Sequence, residues 1–593
     1  MSDRGAVVLA GAVVAGAWWA APVPVAPALV AVVGALVTRR VWALVPAATV
    51  LAAGLAAQAW AGLGVPAAGP VDGWATVTRD PGALAGAVRV ELRLDGRRYE
   101  AWARGRAAGA LADRMAGEHV HVVGRVERSL PPSHLRARHV AGRLTVSEVR
   151  GWRPGHPVHR LANGFRLILS RGVAHLPDRS RVLFTGFVLG DDRGQAPEVA
   201  DDFRGSGLTH LLVVSGQNVA FVLAVVAPLA GRLGPRARLV ALLAVLGGFA
   251  LLTRFEPSVL RATAMAAVAT VAAVSGRPVS GVRTLALAVA GVVLVDPLLV
   301  HSLGFGLSVA ASAGILLLAR PLLEVLPGPG WLARPLSVTL AAQVGVTPLL
   351  VQVTGGIPLA TVPANLLAEP VAGFVMMWGL AAGTPAGLLG GPAAAVLHLP
   401  TGLALAWIAS VARVAARLPL GVLTLPGVAL AAAGGAGAVL AARRDRPGLA
   451  RAAIVGVAVL AVGLAQLDRP GPPAPVQELA PGAVLVSGGG GAERPVRVLV
   501  LRSSARPSAV LAELRRLEVD RVDVVASVHG SRRAAELVAS VRARVRVGQV
   551  WAPPGAPVPG AVTPSTGGVD LGGLRVWVRA RAPTLEVEVV PPS

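Results

Sequence analysis

Long runs of apolar, almost uncharged residues recur along the chain, and they limit its fold more than any other feature. Segments 5–20, 26–38 and 41–62 come first. After a more polar stretch follow 208–230, 239–253, 257–275, 284–299, 303–319, 333–352, 357–382, a weak 386–398, then 403–418, 421–441 and 450–467. Many reach the roughly 17–25 residues that a helix needs to cross a bilayer. With 54% apolar residues in 593, a soluble single-domain protein is excluded. The expected fold class is a polytopic α-helical membrane protein, with one weak segment re-entrant or not spanning. The N-terminal run after Arg4, with Pro22, Pro24 and Pro27, resembles a signal peptide superficially, but the apolar pattern continues beyond it and reads as retained helices.

The net charge of +24 comes from 56 Arg and no Lys against 32 acidic residues. Arg without Lys, beside heavy Ala, Gly, Val and Pro usage, reads as a coding bias. The charge therefore speaks for topology and solubility as much as for an anionic partner. Placing Arg39 and Arg40 in the cytoplasm puts the next segment outside. Arg232, Arg236 and Arg238, then Arg277 and Arg283, fall on the cytoplasmic side, and Arg443 and Arg444 join them if one weak segment does not span. Lacking cysteine, the chain has no disulfide framework and no thiolate metal site. Lacking Lys, it has no standard phosphate loop, so ATP-driven translocation would need a partner.

Between 70 and 150, WATVTRD, VRVELRLDG, RRYEAWARG, EHVHVVGRVE and GRLTVSEVR alternate in part and are separated by Gly, Pro and Asp. Period-two patterning predicts strands, and a small β-barrel removes their open edges. The span holds 14 Arg and nine Asp or Glu. Trp74, Arg97, Arg98, Tyr99 and Trp102 are its candidate single-stranded nucleic-acid contacts; the alternative is that the aromatics are core. Residues 151–181, with six Arg and Asp178 as the single acid, predict a basic amphipathic helix at the membrane surface. Residues 468–480 form a Pro-rich linker, and 481–593 alternate strand and helix as a small α/β domain does. The expected organisation is N-terminal helices (1–64), β domain (70–150), connector (151–181), transmembrane core (182–467), linker and terminal domain, with both folded domains extracytoplasmic.

One apolar run is interrupted by polarity. Ser206, His210, Ser215, Gln217 and Asn218 lie within thirteen residues, and such groups are costly in lipid unless they face protein or a wet cavity. Gly205, Gly207 and Gly216 argue against a continuous helix, so the stretch is either a broken helix lining a path or a polar helix contact. Arg261, Gln343, Asn365 and Glu369, with Arg254, Glu256, Asp296-Pro297 and Pro370, add intramembrane polarity and favour a lined cavity.

The stretch GLTHLLVVSGQNVAFV, then Ser258–Ala262 with Met265, Asp296–Leu298 with Gly304–Ser308, and Pro363–Pro370 together resemble the bacterial ComEC/Rec2 competence family over roughly 180–420. The resemblance implies an inner-membrane, multi-pass channel that admits one DNA strand during natural transformation. It further implies an OB-like domain at 70–150 and a metallo-β-lactamase-like domain at about 480–593. His210, Ser215, Gly216 and Asn218 occupy competence-core positions, while Gly306 stands where the family often has Gln. The terminal domain departs from its pattern: of the His and Asp cluster that would hold metals, only His529 remains. The domain is therefore read as degenerate, with no catalytic residue, no metal and no cofactor.

The sequence thus predicts a channel for single-stranded DNA. Its path runs along Ser206, His210, Ser215, Gln217, Asn218, Arg261, Gln343, Asn365 and Glu369, shaped by Gly207, Gly216, Asp296, Pro297 and Pro370. Expected partners are the bilayer, a DNA receptor, a separate cytoplasmic ATP-driven factor and a separate nuclease. The competing readings are an extracytoplasmic metal-dependent nuclease or hydrolase, and a small-solute permease or structural membrane protein.

Overall fold

The computed structural model describes residues 2–38, 40–84, 86–274, 279–444, 447–467, 471, 473–488 and 495–590. Arg39, Arg277 and linker residues 468–470 and 472 lie outside the described residues. The N-terminal apolar runs form α1 (Asp3–Trp19), α2 (Val25–Val37) and α3 (Val41–Ala61). They touch through small residues: a Cβ on Gly16 would lie 2.3 Å from the Thr49 carbonyl oxygen, and one on Gly54 2.7 Å from that of Val23. Close backbone approach of this kind holds helices together where lipid supplies no hydrophobic drive.

The alternating stretch folds into β1 (Gly69–Leu84), β2 (Ala87–Leu94), β3 (Arg97–Ala103), α4 (Gly105–Ala112), β4 (His119–Glu127), α5 (Ser133–Arg136) and β5 (Val140–Arg153). Val77, Leu92, Leu111, Val122 and Leu144 form its core. Its five strands close into a small barrel in the order β1-β2-β3-β5-β4, because β1 pairs with both β2 and β4. The first half of this 16-residue strand pairs with β4 and the second half with β2, with register breaks after Val77 and Arg79. The barrel does not stand apart. Arg79 reaches Glu256 at 3.0 Å, His139 Nε2 reaches Asp296 at 2.8 Å, and Asp80 enters an ionic cluster among the helices.

The helical region comprises α6 (Pro157–Gly172), α7 (Asp178–Leu189), α8 (Pro197–Gly205), α9 (Gly216–Ala230), α10 (Pro235–Leu252), α11 (Pro257–Val274), α12 (Gly281–Val295), α13 (Leu303–Val325) and α14 (Gly330–Thr354). It continues through β6 (Ile357–Pro358), α15 (Thr361–Leu389), α16 (Gly391–Ala415), β7 (Val422–Leu423), α17 (Leu425–Arg443) and α18 (Pro447–Leu467). Among the described residues six helices are long and apolar enough to cross a membrane: α3, α10, α13, α14, α15 and α16. The chain is a multi-pass membrane protein. Two boundaries differ from expectation. The weak segment 386–398 is not separate: residues 386–389 end α15, and from Gly391 the chain runs on through Pro400 to Ala415 as the single helix α16. The segment expected from 208 becomes helical only at Gly216.

The terminal part contains β8 (Val476–Ala480), β9 (Ala483–Gly488), β10 (Val496–Leu501), α19 (Pro507–Arg516), β11 (Arg521–Ser527), α20 (Arg532–Arg544), β12 (Arg546–Trp551), β13 (Gly567–Leu571), β14 (Leu574–Arg581) and β15 (Thr584–Val590). A five-stranded sheet, β12-β11-β10-β9-β8, is parallel across β10, β11 and β12 and antiparallel at β8 and β9. Leu499 and Val525 face a core shared with α19 and α20, while Val498 and Val524 face Val576 and Val578 of the separate β13-β14-β15 sheet. The terminal part thus stacks helices, a mixed sheet and a small antiparallel sheet in layers. His529 follows β11, and its carbonyl accepts from the Ser527 hydroxyl. Among the described residues no three His, Asp or Glu come together to hold a metal.

Candidate functional site: a polar cavity among the membrane helices

The chain breaks between α8 and α9, and glycine makes the break possible. Gly207 has φ +74°, and a Cβ there would lie 2.0 Å from Thr361 Oγ1. Only glycine takes this conformation and this proximity without strain. Ser206 is buried and donates to the Phe203 carbonyl at 3.2 Å. One 3-10 turn, Thr209–Leu211, follows, and α9 starts behind Ser215. The Ser215 hydroxyl donates to Asn218 Oδ1 at 3.1 Å, and Asn218 Nδ2 donates to the Phe187 carbonyl at 2.9 Å. Asn218 is thus spent on clipping the break to α7. It borders a small recess with His210 and Glu369, and does not line the main cavity.

That cavity has a volume of about 1820 Å³. His210, Ser215, Gln217, Arg261, Gln343, Asn365 and Glu369 all line it, although they come from the break and from α9, α11, α14 and α15. Arg261 is 94% buried, its relative exposure being 6%. Its Nε donates to Ser308 Oγ at 2.8 Å, its Nη1 lies 2.8 Å from the Met265 sulfur, and no carboxylate lies within 4.0 Å among the described residues. A Cβ on Gly216 would stand 2.5 Å from Arg261 Nη2, so this glycine gives the guanidinium its room. Gln343 Nε2 and Asn365 Oδ1 are buried without a hydrogen-bond partner. His210 Nε2 and Glu369 lie 3.7 Å apart across the wall. The cavity wall thus carries a desolvated cation and two neutral amides with an unsatisfied atom each, groups that are costly to bury without partners.

Ser308 and Ser312 on α13 also line the cavity and escaped the sequence reading. Their signal was visible in GFGLSVAAS, where two hydroxyls four apart share a helix face. The terminal domain's contribution was not visible. Arg515 donates to the carboxylate of the fully buried Asp201 and, at 2.8 Å, to its carbonyl; Arg544 lies 3.6 Å from the same carboxylate. These pairs dock α19 and α20 on α8 beside the cavity.

The remaining sequence candidates act elsewhere. Asp296 caps the turn Pro297–His301 by accepting from Leu298 N, and it holds His139. Pro370 lies inside α15. In the N-terminal sheet Tyr99 is buried in the core, which removes it as a stacking platform. Arg153 covers the Trp74 ring at 4.1 Å, and Arg143 lies 5.7 Å from that of Trp102. Arg97 is exposed, whereas Arg98 donates to the Arg138 carbonyl. Of the connector's arginines, Arg166 is 97% buried, bonded to Asp80 and Asp191 at 3.1 Å each and to the carbonyls of Leu189 and Leu252, whereas Arg153, Arg160, Arg171 and Arg179 are exposed. Arg254 completes this cluster on Asp80 at 2.9 Å. Burial alone would raise the Asp80 pKa, but Arg254, Arg166 and Arg193 outweigh it and hold the carboxyl below the usual aspartate range.

Comparison with known proteins places the cavity in a similar context. A sequence family described as competence protein matches residues 187–446. ComE operon protein 3 of Bacillus subtilis (strain 168) is 26% identical over 253 residues, 42% of this chain and 32% of that protein. The uncharacterized protein YcaI of Escherichia coli (strain K12) is 28% identical over 207 residues, 32% of this chain and 27% of YcaI. The matched part thus spans about a third or less of either relative's length. No solved structure matches the chain. The region holding every cavity residue predicted from the sequence is therefore distantly similar to a family of bacterial competence proteins.

Proposed function

We propose that the chain forms a path for a single DNA strand across the bacterial inner membrane during natural transformation. The observation that carries this reading is Arg261, a buried guanidinium with no carboxylate nearby that lines a large cavity beside the unsatisfied amides of Gln343 and Asn365. A phosphodiester supplies one delocalised negative charge per nucleotide, which suits one fixed guanidinium. Neutral Ser, Gln and His groups let the strand move, since tight binding at every step would stall it. The similarity of residues 187–446 to competence proteins supports the choice of DNA over a small anion. On this reading both folded parts face outside, and a DNA receptor, a cytoplasmic ATP-driven factor and a separate nuclease work with the chain.

The test is uptake of labelled single-stranded DNA in cells carrying Arg261→Gln, with membrane protein levels matched. Uptake is expected to fall at least about tenfold, as loss of a desolvated charge-assisted contact implies, and Arg261→Lys to recover part of it. Wild-type uptake by Arg261→Gln would overturn the reading.

A further inference from the structure

The terminal domain lacks a metal-ligand cluster among its described residues, yet it is held firmly at the cavity, and the reason lies in what it presents there. Asp201 is fully buried and gripped by Arg515 and Arg544. With those two cations committed to docking, Arg516, Arg542 and Arg546 of the same domain still line the cavity mouth. All three are exposed. Arg546 meets Asp520 only at 3.9 Å with its side chain 85% exposed, Arg516 holds Glu513 within its own helix, and Arg542 donates to the carbonyls of Pro559 and Gly560. From the membrane region, Arg204 and Arg417 reach the same mouth and are exposed with no ion pair among the described residues. Exposed pairs of the kind made by Arg516 and Arg546 are weak and are readily exchanged for a phosphate.

We infer that the terminal domain is a non-catalytic collar whose Arg516, Arg542 and Arg546 bind the phosphates of a single strand and hand it to the cavity. This rests on the strand-path reading of the cavity. It gives the domain a binding task that needs no metal: gathering backbone charge without reading bases. The collar increases the local concentration of strand at the mouth, while Arg261 acts further in.

The experiment uses the full chain in phosphatidylcholine nanodiscs, which carry no anionic lipid, and follows fluorescence anisotropy of a labelled oligothymidylate across a salt series. Arg516→Gln/Arg542→Gln/Arg546→Gln should lower the slope of log Kd against log salt by about 2, since each single-strand phosphate contact contributes about 0.7. Asp520→Arg adds charge at the same mouth and should steepen the slope, which keeps the test informative if the triple variant folds poorly. Oligodeoxyadenylate should lose as much as oligothymidylate. Unchanged slopes in both variants would overturn the collar. If slopes shift as expected while Arg261→Gln cells take up DNA normally, the collar stands and the path reading falls. If slopes stay constant while Arg261→Gln abolishes uptake, the path stands and the collar falls.

Discussion

Among the described residues two arginines are buried in the helical region, and they have opposite surroundings. Arg166 meets Asp80, Asp191 and two backbone carbonyls, so its charge is answered within the chain. Arg261 meets a serine hydroxyl and a methionine sulfur, and no acid. A buried charge with its partners present ties elements together; one without them carries an unrelieved desolvation cost, which on the proposed reading a passing phosphate offsets. The first joins the N-terminal sheet to the connector and to the turn after α10, and the second faces a cavity.

The largest stability effect should come from breaking the answered cluster. Asp80→Ala leaves Arg166 and Arg254 facing each other without this carboxylate and should cost ~3–5 kcal/mol, read as a lowered unfolding temperature in detergent. The same carboxylate fixes the sign of a pH effect. Its folded pKa is depressed, so the stability it supplies is complete above about pH 4 and is lost as the pH falls through the folded value. Stability that rose on acidification through this range would contradict the pairing.

Next in size is the dock. Asp201→Asn should weaken the hold of α19 and α20 by ~2–4 kcal/mol, since two arginines lose a buried carboxylate; faster proteolytic release of the terminal part measures it. Gly207→Ala forces a side chain into positive φ against Thr361 and should cost ~1–3 kcal/mol, seen as a lower unfolding temperature. Arg261→Met should have the smallest effect on stability, with an unfolding temperature no lower than wild type, because removing an unanswered buried charge relieves desolvation. A large drop would place Arg261 beside Arg166 as a structural cation and end the contrast.

The polar interruption at 206–218 was legible because Ser, His, Gln and Asn cluster there, and together they are costly in lipid unless they face protein or a wet cavity. The broken backbone was legible from Gly205, Gly207 and Gly216. Asn218 illustrates the limit: its residue type is that of a path donor, but its amide bonds Phe187 and Ser215. Tyr99 is another such case, an aromatic available by composition and closed off by the core. The barrel was legible from alternation, whereas the length of β1 and its register breaks are set by its two pairing partners, which alternation does not encode.

What the sequence alone determined is whatever depends on local composition: membrane spans from apolar run length, strands from period two, and the polarity of the break. Only the tertiary structure decided which charges are answered. The Arg515–Asp201 contact crosses 314 positions and the Arg254–Asp80 contact 174, and no local pattern carries separations of that size. Burial then gives those pairings their weight, because a charge removed from water is neutralised by whatever the fold places beside it, or is left to bind from outside.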